Sequence, residues 1–127
     1  MQIRIYYEDT DAGGITYHAN YIKFCERARS EYLLKQDIMP GGSDFGFVVR
    51  HMEVDYYATS TLGDILEVKS KILRMKNSSL LVSHKIYKEK TKIFSMNLSL
   101  VYVEKGTPKR IPEYFRKLFS ECTYNDC

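Results

Sequence analysis

Several features that would place a chain in a specialised class are missing from this sequence. The 127-residue chain has no apolar run longer than a few residues, whereas a membrane-spanning helix needs about 20. Its first residues, Met1-Gln2-Ile3-Arg4-Ile5, lack the apolar core of a signal peptide. The three cysteines, Cys25, Cys122 and Cys127, do not suit a disulfide framework because their number is odd and two lie near the C-terminus. We therefore expect a cytoplasmic protein without a membrane span.

A strong excess of charge of either sign is also missing. The net charge is +3 and the sequence pI is near 8.7, and the basic residues are too dispersed to predict a nucleic-acid-binding protein. A mildly basic chain does fit a ligand that carries phosphates. Hydrophobic residues make up 44% and charged residues 28% of the chain, which is ordinary for a globular protein. We predict a single domain over residues 1–127.

The only long helical pattern runs from about Asn20 to Lys35. Its apolar residues recur at intervals of three and four and so share one face: Tyr21, Phe24, Cys25, Ala28 and Tyr32. No glycine or proline interrupts the pattern, and Pro40-Gly41-Gly42 ends the region. A short terminal helix is predicted after position 108, with Pro112 as its first residue. Its apolar residues would be Phe115, Leu118 and Phe119.

Strand patterns account for most of the rest of the chain. A short one covers residues 2–7, and longer stretches with a period of two cover 45–57, 64–76, 79–89 and 92–104. In the first of these longer stretches the predicted apolar face consists of Val48, Met52, Val54 and Tyr56. One long helix covers only one face of such a sheet. We therefore predict an α+β fold in which a five-stranded antiparallel sheet wraps around the helix, and whose other face or edge needs a partner subunit.

The stretch between the first strand and the long helix concentrates chemically active groups. Two carboxylates, a glycine pair and a histidine fall between Asp9 and His18. Glycine lets a backbone approach a ligand closely, and the start of the next helix presents free N–H groups with a partial positive charge. An acid beside free amide donors is suited to attack on a carbonyl and to stabilisation of the resulting oxyanion. We interpret this stretch as the active site.

The same stretch resembles the hotdog-fold acyl-CoA thioesterases. The closest resemblance is to the 4-hydroxybenzoyl-CoA thioesterase-like branch, and within it to the YbgC-type, Tol–Pal-associated thioesterases. The residues that carry it are Tyr6-Tyr7-Glu8-Asp9-Thr10-Asp11-Ala12-Gly13-Gly14, Tyr17-His18-Ala19-Asn20-Tyr21, Glu26-Arg27-Ala28-Arg29, Phe47-Val48-Val49-Arg50 and Val54-Asp55-Tyr56-Tyr57-Ala58. The similarity covers roughly residues 3–105, and the tail after Pro108 carries no family signal.

This resemblance implies a hotdog fold that pairs into dimers, with the sites at the subunit interface, and often a homotetramer made of two dimers. It implies hydrolysis of an acyl thioester of coenzyme A, or of acyl carrier protein, in lipid metabolism. Coenzyme A would be part of the substrate, and no cofactor or metal would be needed. The acyl chain length and type are left open.

By the same resemblance, the catalytic aspartate is Asp11, and the backbone N–H of His18 polarises the thioester carbonyl. Asp11 would act as a nucleophile that forms a mixed anhydride or as a base that activates water, and the sequence leaves both open. The His18 ring either orients the substrate and bonds to Asp11, or the residue contributes only its amide. Tyr7 is either a hydroxyl donor near the carboxylate or a packing residue. We expect Asn20 to cap the helix start and Asp9 to cap the turn.

Other residues are candidates for binding the rest of the substrate. Phe47, Val48 and Val49 would line the acyl pocket, or they are ordinary core residues. The segment Lys76-Asn77-Ser78-Ser79 has a cation, hydroxyls and amides at a strand connection and is the candidate contact for the nucleotide phosphates. Arg50 is a second candidate, which would reach the partner's site.

Three other kinds of site fit the sequence less well. A calcium loop fails because Gly13 and Asn20 occupy ligand positions. A thiol pair of Cys25 and His18 would span about 10 Å along a helix, too far for direct proton transfer. A zinc site built on His18 lacks recognisable ligand spacing elsewhere.

Two alternative functions stay open at this point. One is a hotdog hydratase that adds water to unsaturated acyl thioesters. The other is a non-enzymatic module that binds acyl carrier protein or an envelope complex.

Overall fold

The computed structural model describes residues 1–121. The described elements, in chain order, are β1 (Gln2–Arg4), a 3₁₀ turn (Tyr7–Asp9), α1 (His18–Leu34), β2 (Phe45–Tyr56), β3 (Ile65–Met75), β4 (Ser79–Lys88), β5 (Thr91–Glu104), β6 (Thr107–Pro108) and α2 (Glu113–Ser120). None of the described helices combines the length and the apolar character that crossing a membrane requires. Cys122 and Cys127, which entered the cysteine argument, lie outside the described residues.

The strands form one antiparallel sheet in the order β1-β3-β4-β5-β2. The two-residue β6 pairs with the end of β5 and adds a strand that the sequence did not predict. α1 provides the buried residues Tyr21, Phe24, Cys25, Ala28 and Leu33, which join the buried face of the sheet in a single apolar core. This confirms the predicted α+β hotdog architecture, in which an antiparallel sheet of five strands wraps around one long helix.

The inner face of the sheet follows the period of two in β5, where the alternating apolar residues are buried: Phe94, Met96, Leu98, Leu100 and Tyr102. β4 contributes the alternating positions Leu80, Val82 and Ile86. The fourth member of that row is His84, a polar residue that is completely buried. The alternation of side chains therefore predicts which positions of β4 face the core, but it does not explain why His84 occupies one of them.

β2 departs from the predicted face because it contains a β-bulge between Val49 and His51. Residue 50 is the extra residue, and an extra residue exchanges the two faces of a strand beyond it. Val54 and Tyr56 therefore share a face with Val49, and the prediction that Val48 joins them is wrong.

The short terminal helix is present, with Pro112 as the residue that precedes it rather than its first residue. Ile111, Phe115 and Phe119 are buried against the core, and the Phe115 and Phe119 rings stack at 5.9 Å. The Tyr32 hydroxyl donates a 2.9 Å hydrogen bond to the carbonyl of Leu118. α2 thus closes the core beside the C-terminal half of α1.

Candidate active site

The acidic glycine turn folds back on itself before α1 begins. Thr10 and Thr16 form an isolated antiparallel bridge, and the Asp11 N–H donates to the Ile15 carbonyl at 2.9 Å. Gly14 has φ of +84°, a conformation that costs little only without a side chain. Its N–H donates to the Asp11 carbonyl at 3.0 Å. The turn is therefore a closed loop whose tip carries Asp11.

The Asp11 carboxylate is exposed at the surface of the chain. One of its oxygens, Oδ1, accepts a 2.8 Å hydrogen bond from the Gly13 N–H. Within residues 1–121 the other oxygen has no hydrogen-bond donor, so it is available to a substrate or to water. Asp11 therefore caps the turn through one oxygen, which leaves the other oxygen for chemistry.

α1 begins at His18, and its preceding residue, Tyr17, makes no side-chain cap. The first N–H groups of a helix have no partner within the helix. Among the described residues none accepts a hydrogen bond from the His18 N–H, which therefore remains a free donor at the positive end of the helix. The Tyr17 N–H donates to the Asp9 carbonyl at 2.9 Å, which holds the acidic turn against this helix end.

The structure places three neighbouring side chains for which roles were predicted, and for His18 it agrees with the alternative in which the ring does not bond to Asp11. Asn20 does not cap the helix N–H groups but donates through Nδ2 to the Asp9 carbonyl at 2.9 Å, and so ties the turn to α1. Tyr7 is 83% exposed and neither packs in the core nor bonds to Asp11. The His18 ring likewise makes no hydrogen bond to Asp11 in the described part of the chain, and it lies against the Tyr17 ring at 4.6 Å. By contrast, Asp9 caps the turn as predicted, because its Oδ2 accepts from the Tyr6 N–H at 2.8 Å.

A buried group of hydroxyls, which sequence reasoning missed, supports the turn from below. Ser60 Oγ lies 2.7 Å from Thr16 Oγ1 and 2.7 Å from the Tyr21 hydroxyl. The Thr16 N–H also donates to the Ser60 carbonyl at 2.8 Å. All three residues are buried, so these bonds link the turn, α1 and the segment after β2 inside the core. No pattern in the sequence pairs positions so far apart.

Tyr56 is a second missed residue. Its hydroxyl donates to the His18 carbonyl at 2.8 Å, and its ring contacts those of Phe94 at 5.2 Å and Tyr21 at 5.9 Å. Burial, and then the proximity of Tyr21, raises the pKa of the Tyr56 hydroxyl. The sequence marked Tyr56 only as a member of the predicted apolar face of this strand and of one of the segments that carry the resemblance.

The predicted acyl-pocket residues lie far from Asp11 within one chain. Nine residues separate Phe47 from Tyr56, which corresponds to about 30 Å of extended strand. Phe47 and Val49 line a cavity at the C-terminal half of α1, and Val48 is not among its lining residues. Arg50 is the exposed residue of the β-bulge. A single chain therefore does not bring these side chains to the acidic turn.

The predicted phosphate-contacting segment forms the tight connection between β3 and β4. The Lys76 N–H donates to the Ser79 carbonyl at 2.8 Å. The C-terminal segment packs here: Arg110 donates to Asn77 Oδ1 at 3.1 Å, and Arg116 donates to the Lys76 carbonyl at 3.0 Å. These two guanidinium groups, which sequence reasoning did not single out, concentrate positive charge at the turn. Because Ser79 pairs with Val101, this turn lies at the Phe47 end of the sheet.

Thiol chemistry finds no support in the described structure. Burial raises the pKa of the Cys25 thiol to about 12, so it is protonated and inaccessible. Within residues 1–121 no three histidine, cysteine, aspartate or glutamate side chains are grouped as metal ligands.

Comparisons with known proteins agree with the fold. Residues 13–95 match the model of the family described as the thioesterase superfamily. The chain is 35% identical over 131 residues to a protein named acyl-CoA thioesterase YbgC from Helicobacter pylori, covering 94% of this chain and 98% of that protein. It is 40% identical over 119 residues to the acyl-CoA thioester hydrolase YbgC of Escherichia coli, covering 87% of each.

A solved structure supports the same relationship. The probable thioesterase from Bartonella henselae is 29% identical, and the superposition has a TM-score of 0.83 and covers 88% of this chain and 97% of that one. The family match, the structural similarity and the sequence identity across most of the chain point to one group. The chain belongs to the thioesterase superfamily of hotdog proteins, in its YbgC-type branch.

Proposed function

We propose that this protein hydrolyses acyl-CoA thioesters, with Asp11 as the catalytic carboxylate and the His18 N–H as the donor to the thioester oxygen. The observation that carries this proposal is the arrangement of the acidic turn: Asp11 is held with one carboxylate oxygen free, on a loop fastened to the end of α1 whose first amide is unpaired. The family relationship and the named activity of its YbgC relatives support the same reaction.

Asp11 has two chemically distinct ways to act. As a nucleophile it would attack the carbonyl carbon, expel the thiolate and form a mixed anhydride that water then cleaves. As a base it would remove a proton from the water that attacks the carbonyl. In both routes the free amide of His18 stabilises the negative oxygen that develops. In single-turnover hydrolysis in ¹⁸O-labelled water, label in the Asp11 peptide would identify the anhydride route, because water attack at the aspartyl carbon of an anhydride places it there.

We further propose that the active form is a homodimer paired through β2. This strand forms one edge of the sheet, and it exposes apolar side chains including Val48, Val49 and Met52. A long, unpaired apolar edge readily pairs with another strand. Antiparallel pairing of two β2 strands about a two-fold axis would set the Tyr56 end of one beside the Phe47 end of the other. Assembly of two dimers into a tetramer is a further step that the same family relationship favours.

Such a dimer would explain the wide separation of the predicted site residues. The partner's Asp11 would then lie near Phe47, Val49 and the turn that contains Lys76. The cations Arg110 and Arg116 beside that turn are suited to the phosphates of coenzyme A. An acidic carrier protein would meet the same cations, so the thiol partner is decided by comparing acyl-CoA with acyl carrier protein as substrate.

The direct test is a thiol-release screen over short, long and aromatic acyl-CoAs. We expect thiol release that depends on Asp11. Water addition to an unsaturated acyl-CoA without thiol release would instead identify a hydratase. Tight binding of acyl carrier protein, with no thiol release at any chain length, would identify a binding module. The cytoplasmic location stays a prediction from the cysteine content and the first residues of the chain.

A further inference from the structure

A cavity of about 400 Å³ lies at the end of α1 that is remote from the acidic turn. Arg29, on α1, lines it, and eleven residues, or about 16 Å of helix, separate Arg29 from His18. Most of the wall is apolar, with contributions from Leu33, Phe45, Phe47, Ile72, Leu80 and Val82. A cavity of this size, apolar apart from a few polar groups, is typical of a site for a small organic ligand.

Two polar residues of the cavity wall, Arg29 and Ser70, are joined through the buried side chain of His84. Arg29 lies 2.9 Å from His84 Nε2, and His84 Nδ1 lies 2.6 Å from Ser70 Oγ. A guanidinium can only donate, so Nε2 must accept and the imidazole proton must be on Nδ1. His84 therefore donates to Ser70. Burial, with a further contribution from Arg29, lowers the pKa of His84 to about 3, in agreement with a neutral ring.

Arg29 consequently has a neutral partner rather than a carboxylate. Within residues 1–121 it forms no ion pair shorter than 4.0 Å. Glu26, one turn earlier on α1, also lines the cavity; it is exposed at the surface, and its charge acts on Arg29 without an ion pair. Lys71 is a second cation in the cavity wall. Both Arg29 and Ser70 line the cavity. The hydrogen bonds that the two residues can still donate come from the remaining guanidinium N–H groups and from the Ser70 hydroxyl.

We propose that this cavity binds a carboxylate at the end of an apolar chain, with Arg29 as its ion-pair partner and Ser70 as a further donor. Two planar N–H groups of arginine match the two oxygens of a carboxylate. A ligand with a wholly apolar chain end would displace water from the Arg29 guanidinium without replacing its hydrogen bonds, which is unfavourable.

Two sources supply this chemistry. The carboxylate is either the far end of an ω-carboxyacyl group on coenzyme A, which makes Arg29 a specificity-determining residue, or the head group of a free fatty acid. Binding of an ω-carboxyacyl-CoA as substrate rests on the proposed thioesterase activity, whereas binding of a free fatty acid does not.

The experiment has a kinetic arm and a binding arm. The kinetic arm compares kcat/KM for the dicarboxylic series hexanedioyl-CoA to tetradecanedioyl-CoA with that for monoacyl-CoAs of equal length. The binding arm compares decanoate with 1-decanol by calorimetry, below the concentration at which micelles form.

Both arms use the wild-type protein, Arg29→Met and the control Arg27→Met. Arg27 is exposed on the same helix and does not line the cavity. If Arg29→Met does not fold, Arg29→Gln keeps a donor for His84 and removes only the charge.

We expect the carboxylate-bearing ligand to be preferred in at least one arm, and Arg29→Met to reduce that preference roughly ten- to hundredfold, the usual effect of a hydrogen bond to a charged group. Arg27→Met should leave it unchanged. A preference in the kinetic arm assigns the site to substrates, and one confined to the binding arm assigns it to free acids. If monoacyl-CoAs are hydrolysed and neither arm shows a carboxylate preference, the carboxylate site is overturned and the thioesterase activity is not. If no thiol is released at all, the proposed thioesterase function is overturned. The decanoate measurement would then still decide whether the cavity binds a carboxylate.

Discussion

The Tyr56 hydroxyl donates a 2.8 Å hydrogen bond to the backbone carbonyl of His18. This bond joins the last residue of β2 to the first residue of α1. The edge strand proposed to pair with a second copy is thereby connected to the helix end whose amide is proposed to bind the substrate. In the proposed dimer, this contact would link subunit pairing to the geometry of the candidate active site.

Replacement of Asp11 by asparagine should abolish thioester hydrolysis, with a loss of at least about a hundredfold, because the amide is neither a base nor a competent nucleophile. The fold should survive, since an asparagine oxygen still accepts from the Gly13 N–H. Thiol release and thermal unfolding measure the two effects. The matched control is Asp9→Asn, which should retain activity because Asp9 only caps the Tyr6 N–H. Full activity of folded Asp11→Asn would remove the catalytic assignment.

Tyr56→Phe should remove the link to the His18 carbonyl and keep the aromatic contacts. The expected cost is about 0.5–1.5 kcal/mol in the free energy of unfolding, together with a fall in kcat as the helix end moves. Urea unfolding and steady-state kinetics are the measurements. Tyr57→Phe is the control, because the Tyr57 hydroxyl is exposed and lies 3.1 Å from Ser95 Oγ, away from α1. Equal kinetic effects of the two substitutions would contradict a positioning role for Tyr56.

Ser60→Ala should destabilise the chain by about 1–3 kcal/mol, because the buried hydroxyls of Thr16 and Tyr21 both lose a partner. The loop that carries Asp11 should loosen as a result. Hydrogen exchange of the amides of residues 10–16 tests this directly, alongside urea unfolding. The exposed neighbour Thr59 provides the control Thr59→Ala, which should change neither measurement. Unaltered exchange in Ser60→Ala would show that the hydroxyl group does not hold the turn.

Stability should fall as the pH drops below about 6.5, partly because of His84. The pKa of His84 is about 3 in the folded chain, so below 6.5 the unfolded chain binds a proton that the folded chain does not. The loss is about 1.4 kcal/mol per pH unit, or about 2 kcal/mol between pH 6.5 and pH 5. His84→Gln, which can still pair with Arg29 and Ser70, should reduce this slope in pH-dependent urea unfolding. The exposed control His51→Gln should not. An unchanged slope in His84→Gln would refute the effect.

Met52→Glu should convert the dimer into monomers. It adds a charge to the middle of the edge strand, beside Glu53 and close to the same substitution in a second copy. Light scattering after size-exclusion chromatography measures the mass, and thiol release should fall with it if the site is shared between subunits. The control Leu73→Glu alters an exposed apolar residue on β3, which β4 and β5 separate from β2. A dimer that persists in Met52→Glu would exclude pairing through β2.

Local patterns in the sequence predicted the elements well. The long helix predicted at about Asn20 to Lys35 is α1 (His18–Leu34), and the clearest strand pattern is β5 with its alternating buried face. These succeeded because periodicity and helix breakers act over a few residues. The face of β2 failed because one extra residue at position 50 reverses the alternation, and no local pattern marks a bulge there.

The sequence by itself determined the secondary structure, the acidic turn and the family. It also identified the two groups, the Asp11 carboxylate and the His18 amide, whose chemistry depends on their position next to the start of a helix. Only the tertiary structure decided which distant side chains meet. The Tyr56 contact with His18, the Thr16–Ser60–Tyr21 group and the Arg29–His84–Ser70 chain each unite separate elements of the fold. Such contacts depend on strand register and helix rotation, which the packing of the whole core fixes and no local pattern encodes.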